Sequence, residues 1–123
     1  MRQAACLVAF AGVTALGLQS DVSGSWTITL DTHVGESTWR ATFSQDGPTV
    51  SGEIDIGDRE ILPLQGTVED GMLDFVFVLP DLDGDQPISL TGSIGADGRS
   101  IEGDEGNFSW FGAGRWTAVK EVP

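Results

Sequence analysis

Several residue types are scarce in this chain of 123 residues. It has no tyrosine, one cysteine (Cys6), one histidine (His33), and six lysines and arginines against 19 aspartates and glutamates. A single cysteine cannot form an intramolecular disulfide, so a hydrophobic core must hold the fold together. The formal net charge of −13 would repel nucleic acid and anionic lipid surfaces. We therefore expect neither of them as a partner.

An uncharged, apolar run stands at the N-terminus. Arg2 precedes residues 4–18, which are rich in Ala, Val, Leu and Phe but fall short of the roughly 20 apolar residues of a membrane span. This pattern predicts a signal peptide over residues 1–20 and hence a secreted or periplasmic protein, with a retained N-terminal anchor as the alternative. Residues 21–123 would then form a single domain that does not contact the membrane after cleavage.

Strand-like alternation dominates those remaining residues, without a helical period. Trp26, Ile28 and Leu30, for example, share one face of a strand whose other face carries hydroxyl groups. Turn signals such as Asp70-Gly71 recur about every ten residues. We expect six strands at 24–30, 39–45, 50–56, 62–68, 72–79 and 88–94, a further strand-like run at 100–104, and strands seven and eight within the aromatic stretch 107–119. Within 62–68, Pro63 indicates a strand start or a bulge.

Eight short antiparallel strands in about 100 residues predict an all-β fold, an up-and-down β-barrel, because closure leaves no exposed strand edge. A β-sandwich is the alternative. Gly52, Gly66 and Gly92 each lie two residues from apolar neighbours, on the face that those neighbours bury. The space that a glycine leaves there allows tight curvature, and it could also admit an aromatic ring or a small ligand.

Two short motifs carry a family resemblance. Gly24-Ser25-Trp26 and Arg115-Trp116 resemble the Gly-x-Trp start and the closing Arg of lipocalin-like and avidin-like (calycin-like) barrels. More closely, the chain resembles small secreted bacterial barrel domains of undetermined role, which share this start, a turn like Gln45-Asp46-Gly47 and apolar-x-Gly-x-apolar strands. The resemblance implies a barrel in which Arg115 lies over the indole face of Trp26. It implies no biotin site, because avidin-like sites use tyrosine and this chain has none.

The first class of function that fits is a non-catalytic binding module for a small apolar or aromatic ligand, or for a protein partner. The residues expected to line a ligand site inside the barrel are Trp26, Trp39, Phe43, Gly52, Gly66, Phe75, Phe77, Gly92 and Trp110. An eight-stranded barrel has room for its own side chains or for one small ligand, so the same aromatic rings could simply fill the core.

Residues 76–78 suggest a contact on the outside of the barrel. Leu73, Phe75 and Phe77 share one face of their strand, yet Val76 and Val78 add apolar surface to the other. Either something covers this outer face, or a second copy of the chain pairs there as a homodimer.

The second class is an enzyme. His33 would be the general base, with Asp31 and Glu36 close in sequence. No nucleophile motif or zinc-binding histidine pair accompanies it, so we assign no catalytic residue. The alternative function is a cyclase- or isomerase-type enzyme driven by the shape of the barrel interior, with His33 or a carboxylate as acid or base.

One acidic loop has the spacing of a cation site. Asp81, Asp83 and Asp85 place three carboxylates at alternate positions around Gly84, and such oxygen ligands can bind Ca²⁺. The remainder of an EF-hand loop is missing, so a solvated acidic loop is the other interpretation. We expect no other cofactor.

Overall fold

A computed structural model describes residues 21–57, 61–80, 84–108 and 111–121. The predicted signal peptide, Trp110, Asp81 and Asp83 lie outside these residues. No helix in the described part of the chain is long and apolar enough to span a membrane. The strands are β1 (Gly24–Thr32), β2 (Gly35–Asp46), β3 (Thr49–Asp55), β4 (Ile61–Glu69), β5 (Met72–Leu79), β6 (Gln86–Ile94), β7 (Ser100–Gly103), β8 (Gly106–Asn107) and β9 (Ala113–Lys120).

The strands form a closed antiparallel barrel. Strands β1 to β7 pair in chain order, β7 pairs with β9, and β9 pairs back onto β1 with Trp116 opposite Leu30. This arrangement is an eight-stranded up-and-down barrel with one short additional strand, β8. The predicted all-β barrel is confirmed, and the sandwich alternative is wrong because every barrel strand has a neighbour on both sides.

The short strand β8 continues β7 after an interruption. Thr117 lies opposite Glu102, and Gly114 lies opposite Gly106, so three residues of one chain segment face two residues of β9. This extra residue has the geometry of a β-bulge, which bends a strand and increases its twist. The sequence predicted two strands within 107–119, whereas the structure has one full strand there, preceded by the end of an interrupted one.

The first hairpin is longer than the alternation predicted. Strands β1 and β2 pair from Gly24–Phe43 as far as Thr32–Gly35, so only His33 and Val34 form the turn. Polar residues at this end of the hairpin hid its length from the sequence pattern. The turn at Asp70-Gly71 has φ angles of 53° and 77°, as a tight hairpin with positive φ requires.

Apolar side chains fill the inside of the barrel in strict alternation. Every side chain expected to point inward on β1 is buried, and β5 behaves in the same way with Leu73, Phe75, Phe77 and Leu79. Among the described residues, no polar or charged residue is buried. The three large rings of Trp26, Trp39 and Trp116 are at most 1% exposed, and at this degree of burial they dominate the core.

The barrel end at the start of β1 is closed by the segment before that strand. Val22 is completely buried, and its carbonyl oxygen accepts a hydrogen bond of 2.8 Å from Trp26 Nε1. Its N–H donates to Gln45 Oε1 at 2.9 Å, while Ser23 Oγ accepts from the Gln45 N–H at the same distance. The Ser23 N–H donates to Asp21 Oδ1 and lowers the pKa of that carboxyl group.

The expected stacking of Arg115 on Trp26 is wrong. The register places Arg115 opposite Asp31 and places Lys120 opposite Trp26. Arg115 also belongs to the outward-facing set of β9, whereas the Trp26 ring is fully buried inside. Side chains alternate between faces, so this guanidinium cannot reach the indole, and Val22 closes the end in its place.

Pro63 is the third residue of β4 and pairs regularly with Glu53. The prediction of a strand start or a bulge at Pro63 is therefore wrong. The pairing between β4 and β5 covers Leu64 to Glu69 and does not reach Pro63, the residue before Leu64. A residue without an N–H group is tolerated there because that ladder has already ended.

Candidate functional site

The predicted ligand-binding residues other than Trp110, which lies outside the described residues, face the inside of the barrel, where aromatic rings pack against one another. Trp26 contacts Phe43 with ring centroids 6.3 Å apart, Phe43 contacts Phe75 at 5.3 Å, and Phe75 contacts Trp116 at 6.1 Å. These tilted and edge-to-face geometries are the favourable ones for aromatic pairs. The contacts favour a filled core, and the assignment of these residues to a ligand stays a prediction.

The space beside the inward-facing glycines is occupied by the protein itself. A β-carbon on Gly52 would collide with the carbonyl group of Thr42, and one on Gly66 would collide with the backbone of β5. At Gly92 the nearest atom would be Ile101 Cγ2 at 2.8 Å, and at Gly103 the Trp116 ring takes the space. Glycine at these positions therefore permits the close approach of strands and of one ring.

Among the described residues, Trp39 is the one with a buried side-chain nitrogen or oxygen atom that forms no hydrogen bond. This atom is the indole Nε1. The rings of Phe77, Phe108 and Phe111 stand at 82° to 86° to the indole, with centroids 5.0 to 6.3 Å away. Three phenyl rings thus pack edge-to-face against the indole, and sequence patterns give no signal for this arrangement.

The proposed acid–base group His33 lies at an exposed turn. Its Nδ1 atom is 3.3 Å from both the N–H and the carbonyl oxygen of Ala113. Asp31 and Glu36 face each other on the outside of the barrel. The structure therefore places His33 and both carboxylates outside the interior that the enzyme alternative would use.

The candidate cation loop is described only in part. Asp85 is exposed just before β6, while Asp81 and Asp83 lie outside the described residues. Within the described ranges, no group of three or more His, Cys, Asp or Glu side chains could hold a metal ion. The calcium site stays a prediction.

An ion pair joins Glu121, which follows β9, to Arg40 on the outside of β2. Arg40 donates from Nη2 to Glu121 Oε1 at 2.7 Å and from Nε to Glu121 Oε2 at 3.0 Å. Thr27 Oγ1 also donates to Glu121 Oε2, at 3.1 Å, and the Glu121 N–H donates to the Ser25 carbonyl oxygen. The hydrogen bonds from Arg40 lower the pKa of Glu121 and raise that of Arg40.

Apolar side chains gather on the outer face of β4, β5 and β6. Val78 is 46% exposed and lies opposite Pro87, and the register that pairs Leu64 with Phe77 puts Pro63 on its other side. We call the five apolar residues on this face the outer patch: Ile61, Pro63, Val76, Val78 and Pro87. The sequence indicated Val76 and Val78, but only the register adds the other three.

Carboxylates and two shallow depressions border the outer patch. Glu53 and Asp55 lie opposite Pro63 and Ile61, and Asp74 lies on β5 two residues before Val76. Ile61 lines a depression of about 220 Å³ together with Glu53, Asp55 and Arg40. Val76 and Asp74 line another of about 360 Å³ above Gly66. The face is therefore apolar at its centre, acidic at its rim and uneven in shape.

The eight-stranded antiparallel barrel is consistent with the calycin-like class of folds. No protein-family model, curated protein or solved structure matches the chain.

Proposed function

We propose that this protein is a non-catalytic binding module that contacts a protein partner through the outside of its barrel. The observation that carries the proposal is the contrast between the two faces of the sheet. The interior is occupied by the chain's own rings, whereas Val78 and Ile61 on the outer face are 46% and 62% exposed. Exposed apolar surface that is clustered and rimmed by polar groups is typical of protein–protein contacts.

A secreted or periplasmic location belongs to the same proposal. It rests on the uncharged apolar run of residues 4–18, which follows Arg2. The net charge of −13 also suits a protein that stays soluble outside the cell.

The two other functions considered find less support. A small apolar ligand inside the barrel would have to displace rings that already pack on each other, such as Phe43 on Phe75. A barrel enzyme would need an acid or base facing the interior, yet the buried residues of the described chain are all apolar. Neither function accounts for the apolar side chains on the outer face.

Native mass spectrometry of the protein purified from its own host tests the binding role, with cross-linking in the intact cells as its companion. We expect the mass of the bare polypeptide before and after mild organic extraction, because the core is filled. We also expect cross-linking to give one reproducible adduct with another protein. A mass excess that extraction removes would make the protein a small-molecule carrier and overturn the proposal.

A further inference from the structure

We infer that the outer patch is the docking site, and that its occupant is a protein surface with an apolar anchor flanked by lysine or arginine side chains. This inference rests on the proposed function. It adds the location of the contact and the chemistry of the partner.

The apolar half of the inference follows from what lies next to Val78. Pro87 lies opposite it on β6. On β4, Pro63 is next to Leu64, whose partner Phe77 precedes Val78, so the exposed apolar surface continues over β4, β5 and β6. The exposed Val119 on β9 is a useful contrast, because its cross-strand neighbours are Thr27 and Ser100. A single exposed valine among hydroxyl groups is ordinary, whereas a continuous row is not.

The charged half follows from the rim. Glu53, Asp55 and Asp74 form no ion pair within 4.0 Å among the described residues. Arg40 lies opposite Asp55 on β2, but its guanidinium group is bonded to Glu121. Cationic side chains of a partner would therefore meet an excess of carboxylates around the apolar centre. A second copy would bring its own charge of −13 to the contact. The resulting repulsion favours a basic partner over a homodimer.

The shape of the face agrees with a side-chain anchor. The depression of about 360 Å³ beside Val76 is also lined by Gln65, Thr67 and Asp74. Interface energy concentrates in a few side chains that fill such hollows. An apolar side chain placed there would have Asp74 within reach of a neighbouring cation.

Selection of peptides from a random phage library on the immobilised protein tests the inference with a defined probe. We expect the selected peptides to combine apolar residues with lysine or arginine. Added to ¹⁵N-labelled protein, they should shift the amide resonances of β4, β5 and β6. Their affinity should fall with rising salt, because part of the attraction is between exposed charges.

Matched lysine substitutions locate the contact. Val78→Lys and Asp74→Lys should each weaken binding of the selected peptides by about tenfold or more. Val119→Lys adds the same charge at another exposed valine, on a strand separated from β5 by β6 and β7. This substitution should leave the affinity for the selected peptides within about twofold of the wild-type value. Thermal unfolding of each variant shows that the barrel is intact.

Three results would overturn this inference. Peptides that bind equally well to Val78→Lys place the contact elsewhere and leave the proposed binding role standing. Selected peptides without basic residues contradict the charge argument alone. A concentration-dependent dimer that Val78→Lys abolishes, measured by sedimentation, would make the occupant a second copy. A small-molecule cargo in the mass spectrum would instead overturn the proposed function itself.

Discussion

Two indole groups in the core differ in the hydrogen bonding of their N–H groups, and single substitutions can test this difference. Trp26 and Trp39 are both at most 1% exposed. Trp26 Nε1 donates to the carbonyl oxygen of Val22, whereas Trp39 Nε1 has no partner among the described residues. A buried hydrogen bond that loses one partner leaves the other unsatisfied, and this costs about 1 to 3 kcal/mol. An N–H group without a partner has no such bond to lose.

We therefore expect Trp26→Phe to lower the free energy of unfolding by at least about 1 kcal/mol more than Trp39→Phe does. Both substitutions remove a similar volume, so each serves as the control for the other. Urea unfolding followed by circular dichroism gives the two free energies. Equal losses, or a larger loss for Trp39→Phe, would mean that the hydrogen bond from Trp26 to the Val22 carbonyl oxygen does not stabilise the fold.

At the scale of single elements, the approach of neighbouring strands depends on glycine. A β-carbon on Gly66 would collide with the Asp74 carbonyl oxygen and with Phe75 Cα on β5. These are backbone atoms of a paired strand, so no side-chain rotation can relieve the collision. Strands β4 and β5 would have to separate there.

Gly66→Ala should lower the free energy of unfolding by about 1 to 3 kcal/mol, as overpacking typically does. Thr67→Ala, at the exposed next position of the same strand, should change it by about 0.5 kcal/mol or less. The urea unfolding midpoints of the two variants and the wild type measure this difference in stability. If alanine is tolerated at both positions, the strands are not in close contact at Gly66.

The element scale also shows where sequence patterns stop being informative. Regular alternation predicted β1, β3, β4, β5 and β6 to within a few residues, because burial of one face requires a period of two. Strand β7 matches the predicted run at 100–104, but its continuation as β8 escaped prediction, because Asp104 and Glu105 look like a turn and only the pairing of Gly106 with Gly114 shows that the chain resumes along β9. Three of the five residues of the outer patch were also missed. Pro63 and Pro87 are far from each other in sequence, and only the strand register brings both of them close to Val78.

For the whole molecule, the dominant electrostatic quantity is the net charge of −13. Folding brings these charges closer together than they are in the unfolded chain, and their mutual repulsion destabilises the compact state. Salt screens exposed charges, with a Debye length of about 30 Å at 0.01 M and about 8 Å at 0.15 M.

We expect the urea midpoint to rise when sodium chloride is increased from about 0.01 M to about 0.15 M. Glu121→Gln removes the exposed ion pair with Arg40, which salt weakens, so this variant should show an equal or larger rise. Equilibrium unfolding at both salt concentrations provides the measurement. A midpoint that falls with salt would show that attractive pairs outweigh the repulsion.

The sequence by itself determined the class of fold, the inward-facing side chains and the acidic character, because these depend on composition and on local periodicity. Only the tertiary structure decided which chain segment closes the barrel end, which atoms occupy the space beside the glycines, and which apolar residues adjoin on the outside. These features depend on the register between strands. A shift of one residue in that register gives a side chain different cross-strand neighbours or moves it to the other face of the sheet. The exclusion of Arg115 from the Trp26 ring and the contiguity of Val78 with Pro63 and Pro87 are both consequences of that register.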